Sequence, residues 1–408
     1  MTKVALIGGI FTPMIEDNII SKSKGCIQYA ADTLQKCYIE GLSNLNCNFE
    51  IFNLPYIGSF PQLSKISYFK ADDEQIYIGN NKINCHNISF SNLALYKNWS
   101  RCRQLTKALY QWCKFNQDSE LVFVVYAAHT PFMKAVADVC SKFNNVRSIL
   151  IVPDLPEYMG QTQSYLRKLL SCVNTRLANK LYASFDGFVF LSEQMTERIS
   201  VIDKEYEIIE GIYSTSNSEA TEISGKDNST LSVTYTGTLA ERYGVMNLVQ
   251  AFMKLSNENA RLKIIGEGDA KDKILSAADI DHRIEFLGQM PRQQALKFQR
   301  QSAVLVNPRT SEGEFTKYSF PSKTMEYLAS GIPAIINRLP GIPQEYFGHS
   351  LQPKDESIDA LAEIIQYALS LSEEQRTDIG KQARKFIIDN KTPMPQCKKL
   401  LSLINRIQ

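Results

Sequence analysis

The sequence predicts an α/β protein made of two doubly wound, Rossmann-like domains in tandem. Three observations carry this: the length, two separate runs of strand–helix alternation, and a polar stretch dividing them. At 408 residues the chain is long for one core and short for three. The first alternation runs through Val4–Ile7, a helical pattern over Cys26–Tyr38, and short apolar runs at Leu121–Tyr126, Ser148–Val152 and Phe185–Leu191. The second places strands at Leu231–Tyr235, Arg261–Ile265, Ile284–Leu287, Ala303–Val306 and Ile332–Ile336, with helices between them. Between Tyr213 and Leu231 lies a Ser/Thr-rich segment with no apolar period. The expected division is therefore 1–213, a linker over 214–230, and 231–385, with 386–408 returning as a helix onto the first domain. A ligand belongs at the carboxyl ends of such parallel strands.

Composition narrows the class. No run approaches the roughly 18 apolar residues of a membrane span, and the start reads as a first strand rather than a signal peptide, so the expected compartment is the cytoplasm. The nine cysteines include no C-x-x-C pair, which predicts reduced thiols rather than a zinc ribbon or a disulfide framework. The net charge of +2 conceals an asymmetry: residues 75–185 hold 13 Lys/Arg against 5 Asp/Glu, and 75–117 and 158–185 contain no acid at all.

The segment from Val306 to Ile335 reads as strand, long loop, helix and strand. Pro321 and Ser322 make a helix start, Gly331 and Pro333 a stop, and free N–H groups at such a start suit a phosphate. Lys323 in the first turn opposes the helix dipole, and a diphosphate bound there would reverse that penalty. Glu326, one turn on, can accept two hydrogen bonds from a ribose diol. On spacing alone an ordinary amphipathic helix with solvated Lys323 and Glu326 fits as well.

This segment resembles the retaining GT-B glycosyltransferases of family 4, whose E-x7-E region enters a helix of the form P-x-K-x-x-E-Y-x-A-x-G-x-P. Pro321, Lys323, Glu326, Tyr327, Ala329, Gly331 and Pro333 fit it, and the run from Tyr318 to Tyr327 looks most like the branch that builds bacterial capsular and exopolysaccharide. The resemblance implies a GT-B fold and transfer of a sugar from a nucleoside diphosphate to a hydroxyl of a glycan or polyprenyl-linked acceptor. It makes Glu326 the second glutamate, on the ribose. The first should fall at 318, where this chain has Tyr318; Glu312 and Glu314 lie on the same loop.

Tyr235 to Val245, with Gly237, Thr238 and Arg242, is similar to the family's diphosphate turn, its lysine replaced by Tyr243. Ile264 to Asp269, with Gly268, and Phe286 to Pro291, with Gln289 and Met290, complete the likeness, and imply contacts to base and ribose. The segment Ser319, Phe320, Pro321 and Ser322, through the N–H groups of its non-proline residues, would join Lys323 and Arg242 at the diphosphate. A plain βα turn with a surface arginine is the other reading of the first of these.

In the first domain Gly8, Gly9 and Ile10 follow the first strand, where relatives open the acceptor side. His129 and Asp154 each follow a strand at its carboxyl end and are the candidate catalytic residues, with helix capping and a structural histidine as their plain alternatives. Apolar 166, 169, 170, 173 and 177 at helical spacing, beside Arg167, Lys168, Arg176 and Lys180, suit a helix resting on an anionic inner-leaflet surface, or a core-facing helix with solvated cations. Asp279-Ile280-Asp281 matches a metal signature of another glycosyltransferase fold but stands in a polar loop, so neither a metal nor another cofactor is expected, and no nucleic acid partner. Two rival readings remain: a non-hydrolysing nucleotide-sugar epimerase, and a non-catalytic nucleotide-sugar-binding subunit.

Overall fold

The computed structural model describes residues 2–155, 176–214 and 231–408, and divides the chain into one unit of Met1–Ser214 with Thr392–Gln408 and another of Thr215–Lys391. In the first unit the strands are β1 (Thr2–Gly8), β2 (Phe49–Asn53), β3 (Tyr68–Phe69), β4 (Glu74–Ile78), β5 (Asn81–Asn87), β6 (Phe90–Ser91), β7 (Glu120–Tyr126), β8 (Val146–Val152), β9 (Gly187–Phe190) and β10 (Glu205–Ile208). Eight form one sheet in the order β10-β9-β8-β7-β1-β2-β5-β4, parallel except where β4 returns antiparallel on β5. β1, β7 and β8 are continuous apolar runs because both faces of a parallel sheet are covered. The helices between them are α1 (Glu16–Lys22), α2 (Tyr29–Asn44), α3 (Lys97–Phe115) and α4 (Thr130–Cys140). Cys26–Tyr38, expected as a helix, is helical only from Tyr29, and the helix continues to Asn44.

The second unit holds a five-stranded parallel sheet in the order β13-β12-β11-β14-β15, made of β11 (Leu231–Thr236), β12 (Ala260–Ile265), β13 (Ile284–Gly288), β14 (Val304–Asn307) and β15 (Ala334–Ile336). Its helices are α5 (Val245–Met253), α6 (Lys271–Ile280), α7 (Arg292–Arg300), α8 (Lys323–Ala329), α9 (Ile358–Ser370) and α10 (Glu373–Asn390). Sheet residues such as Val233, Leu262 and Val304 pack with Leu248, Phe252 and Ile365 in one core. The order reverses between β11 and β14, so the loops after β11 and β12 and the helix α8 meet at one edge. α10 begins with a reciprocal cap between Ser372 and Gln375 and runs unbroken to Asn390.

The last helix, α11 (Pro393–Arg406), belongs to the first unit, where Cys397, Leu400, Leu403 and Ile404 share a core with Tyr38 and Leu42 of α2. Gly41 makes this approach feasible: a Cβ there would lie 2.3 Å from the carbonyl oxygen of Pro393.

Candidate functional site

At the carboxyl edge of the second sheet lies a cavity of about 360 Å³, lined by residues of the loops after β11, β12 and β13, by α7 and by α8. Backbone contact between two of these loops shapes it. Gly266, at φ +146°, stands so near the loop after β11 that a Cβ would meet the Gly237 oxygen at 1.8 Å. Gly237 and Thr238 form one wall, Gln289 and Met290 another, and Lys323 and Glu326 face them from α8.

Glu326 is held from three sides. Its carboxylate accepts from Lys323 Nζ at 2.6 Å, from Gln299 Nε2 at 2.8 Å and from an Arg292 guanidinium nitrogen at 3.1 Å. Its side chain is only 13% exposed. Burial pushes the carboxyl pKa up, but the Lys323 charge and the hydrogen bonds from Lys323 and Gln299 outweigh it, leaving the group below its ordinary value and ionised. The carboxylate is thus a fixed acceptor at the cavity wall. Lys323, half-buried, is the more exposed member of the pair.

The next residue, Tyr327, locks α8 to the sheet. Its buried hydroxyl accepts from the Thr236 amide at 2.8 Å and donates to the Thr236 carbonyl at 3.0 Å. Gln299 Nε2 also donates to Thr236 Oγ1 at 2.7 Å, so the end of β11 supports the helix carrying Glu326 through two buried side chains.

Thus Gly237, Thr238, Gln289, Met290, Lys323 and Glu326 are brought to one cavity, and the other expected donor residues take different places. Arg242 is exposed, 5.0 Å over the Tyr243 ring, and is not among the lining residues. Gly268 packs on the Leu239 backbone, 2.4 Å from its carbonyl oxygen to a built Cβ. Tyr318, Phe320 and Pro321 are buried, Ser322 is exposed, and Ser319 Oγ accepts from Arg309 at 2.8 Å. Tyr318 is therefore an internal side chain, while Glu312 and Glu314 are exposed. Asp281 is engaged by the Arg283 guanidinium at 2.7 Å and 3.0 Å.

In the first unit, Gly8, Gly9 and Ile10 are buried, and the amides of Gly9 and Ile10 donate to Gln35 Oε1 and Asn53 Oδ1, each at 2.8 Å. His129 starts α4 and contacts a fully buried guanidinium: its Nε2 accepts from Arg101 at 3.1 Å. Burial, with the Arg101 and Lys97 charges, pushes its pKa well below the ordinary value, so the ring is neutral. Asp154 is exposed beyond β8, with its carboxyl raised by partial desolvation. Arg176 and Lys180 are exposed on helical residues 176–182; Arg167 and Lys168 lie outside the described residues.

Residues 216–386 match the family model described as "Glycosyl transferases group 1". The chain is a glycosyltransferase. The match covers the second unit, which carries the cavity and Glu326. No curated protein matches the enzyme by sequence. Solved structures resemble it over the whole chain: a sucrose-phosphate synthase from Thermosynechococcus elongatus (15% identity, TM-score 0.60, 100% of this chain and 99% of that one), HepE of Anabaena in complex with UDP (11%, 0.61, 99% and 100%), and the lipopolysaccharide outer core galactosyltransferase WaaB (14%, 0.60, 100% and 100%). These likenesses show the GT-B fold. The family description is that of an enzyme that transfers glycosyl groups.

Sequence reasoning passed over Gln299, Arg292 and Thr236. Gln299 was traceable in principle: it is a polar residue on the inward face of α7, fully buried, and buried amides are placed by their partners.

Proposed function

We propose that the enzyme moves a sugar, with retention, from a nucleoside diphosphate to a hydroxyl of a glycan or lipid-linked oligosaccharide during surface polysaccharide synthesis. The observation carrying the donor half of this reading is Glu326, an ionised and nearly buried carboxylate on a cavity wall, with Lys323 2.6 Å away and backbone of the Gly237 loop opposite. The two carboxylate oxygens take the ribose diol. Lys323 turns from Glu326 to the diphosphate, joined by the N–H groups of Ser319, Phe320 and Ser322, and the loop at Gln289 and Met290 meets the base. Stabilising the departing diphosphate lowers the barrier to cleavage at the anomeric carbon. The acceptor hydroxyl then adds on the face the diphosphate leaves, so the donor phosphate takes up its proton. Asp154 and His129 would stand on the acceptor side: the neutral imidazole as a hydrogen-bond partner, the carboxylate as an orienting group. The chemistry calls for no resident cofactor.

The resemblance to polysaccharide-building relatives also supports an acceptor held at an anionic membrane surface, with Arg176 and Lys180 among the cations facing it. The test is a panel of nucleotide-sugars with polyprenyl-linked acceptors, followed by NMR of the product's anomeric configuration. A product with the donor's configuration is expected. An inverted product refutes retention, epimer formation without acceptor refutes transfer, and binding of every donor without turnover refutes catalysis.

A further inference from the structure

Beside the cavity, on the side of the second sheet away from the Gln289 loop, two guanidinium groups share one pair of aromatic rings. β14 neighbours β11 on the side opposite β12, so the loops that follow β11 and β14 continue the sheet edge past Gly237. These loops touch backbone to backbone: a Cβ on Gly244 would lie 2.2 Å from the Pro308 carbonyl oxygen. Arg309, on the loop after β14, lies 4.9 Å from the Phe315 ring centroid and 5.3 Å from that of Tyr243. Arg242, on the loop after β11, lies 5.0 Å from Tyr243 and 5.7 Å from Phe315.

Neither charge is answered within the protein. Among the described residues no carboxylate stands within ion-pair distance of either guanidinium. Arg309 donates to Ser319 Oγ at 2.8 Å, and its buried Nε has no acceptor. Arg242 donates to the Tyr243 hydroxyl at 3.3 Å. Burial holds the pKa of Arg309 below the ordinary guanidinium value, and the Arg242 charge pushes the same way. Two like charges are therefore held together on aromatic faces, one of them half-buried with an unsatisfied donor. An anion would answer both charges.

The position of the pair decides which anion, and this step rests on the donor reading above. With the base at Gln289 and the ribose on Glu326, the diphosphate lies at Lys323, beside Gly237. A Cβ built on Gly237 would stand 3.7 Å from Lys323 Cε and 3.2 Å from the Tyr235 hydroxyl oxygen. The Arg309 charge acts on that same hydroxyl, opposing the rise in pKa that burial imposes on it. The order along the edge is thus base, ribose, diphosphate and guanidiniums, and the last place belongs to the transferred sugar. Position 318, where the resemblance expects a glutamate, holds the buried Tyr318, and the next residue, Ser319, fixes Arg309. We infer that the donor sugar carries a carboxylate, as a hexuronic acid does, and that Arg309 grips it through its planar fork while Arg242 adds charge. A neutral hexose leaves both guanidiniums unanswered, so the same pair discriminates against it.

Calorimetry on the full chain first ranks UDP, GDP, ADP and dTDP, then compares the hexose and hexuronate donors of the preferred base. The hexuronate should bind about tenfold tighter or more. Arg309→Gln should remove that preference while the Kd of the free nucleoside diphosphate stays within about threefold. Arg309→Lys, which keeps the charge and loses the fork, should retain part of the preference. Arg242→Gln, at an exposed position that puts the fold at no risk, should lower the preference in the same direction. Equal affinity of the unaltered chain for the two sugars overturns the inference, as does an unchanged preference in both glutamine variants. Equal weakening of hexuronate and free diphosphate by Arg309→Gln, with the melting temperature unchanged, also overturns it, by marking Arg309 as a diphosphate contact. Failure of the donor reading looks different: no nucleoside diphosphate binds, or binding ignores Glu326→Ala, and the inference falls with it.

Discussion

Replacing Glu326 by alanine tests the donor site most directly, and the structure sets the size and sign of the result. In the proposed complex the carboxylate accepts two ribose hydroxyls, and charge-assisted hydrogen bonds contribute about 1.5–3 kcal/mol. Their loss raises the Kd of a nucleoside diphosphate about 10- to 150-fold. The fold should tolerate the change: Gln299 keeps its bond to Thr236 Oγ1, and Lys323, 36% exposed, can turn to water. A stability cost on the order of 1 kcal/mol is expected. Pyrophosphate, which has no ribose, should bind as well as before or better, because Lys323 is no longer tied to Glu326 at 2.6 Å. Calorimetry with both ligands on the unaltered chain and on Glu326→Ala separates the cases. Unchanged nucleoside diphosphate affinity refutes the assignment, and equal weakening of both ligands would mean that the alanine variant has damaged the cavity rather than removed a ribose contact.

Two further predictions concern the scaffold. Tyr327→Phe removes the hydroxyl that accepts from the Thr236 amide and leaves that buried N–H without this acceptor, so urea unfolding of the variant should show a loss of about 1–3 kcal/mol, and a loss below the error of the measurement would disprove the lock. In the first unit His86 bridges Glu50 at 2.9 Å and Asp73 at 2.7 Å, and the hydrogen bond to Glu50 outweighs burial to push its pKa up to about 9. A raised folded-state pKa means the contribution is complete below pH 6.5 and disappears as pH rises through about 9. The melting temperature of the unaltered chain should therefore fall across that window more than that of His86→Gln, and parallel pH profiles would exclude a role for the bridge.

The sheet strands were legible because β1, β7, β8 and the strands of the second unit are short apolar runs bounded by turns. The hairpin of β4 and β5 was not. It lies at the sheet edge, where Ile83 and Cys85 alone in β5 face the core among polar neighbours, so alternation there is too weak to separate from a loop. The same difference applies to the site. Lys323 and Glu326 sit in a local motif with punctuation on both sides, whereas Gln299 and Thr236 act through bonds that close across 27 and 63 positions of sequence. Gly8 to Ile10 show the converse: a glycine turn that reads as an open mouth has its amides taken by Gln35 and Asn53, and a linear pattern does not disclose such partners.

The pairing of Lys323 with Glu326 has a consequence for what the cavity rejects. A lone phosphate that drew Lys323 away would leave the ionised, nearly buried carboxylate to Gln299 and Arg292 alone, and a free nucleoside on Glu326 would offer the Lys323 ammonium no anion of its own. A ligand offering an anion and a diol together engages both groups at once. Under the proposed reading the pair favours the intact nucleoside diphosphate over either fragment alone.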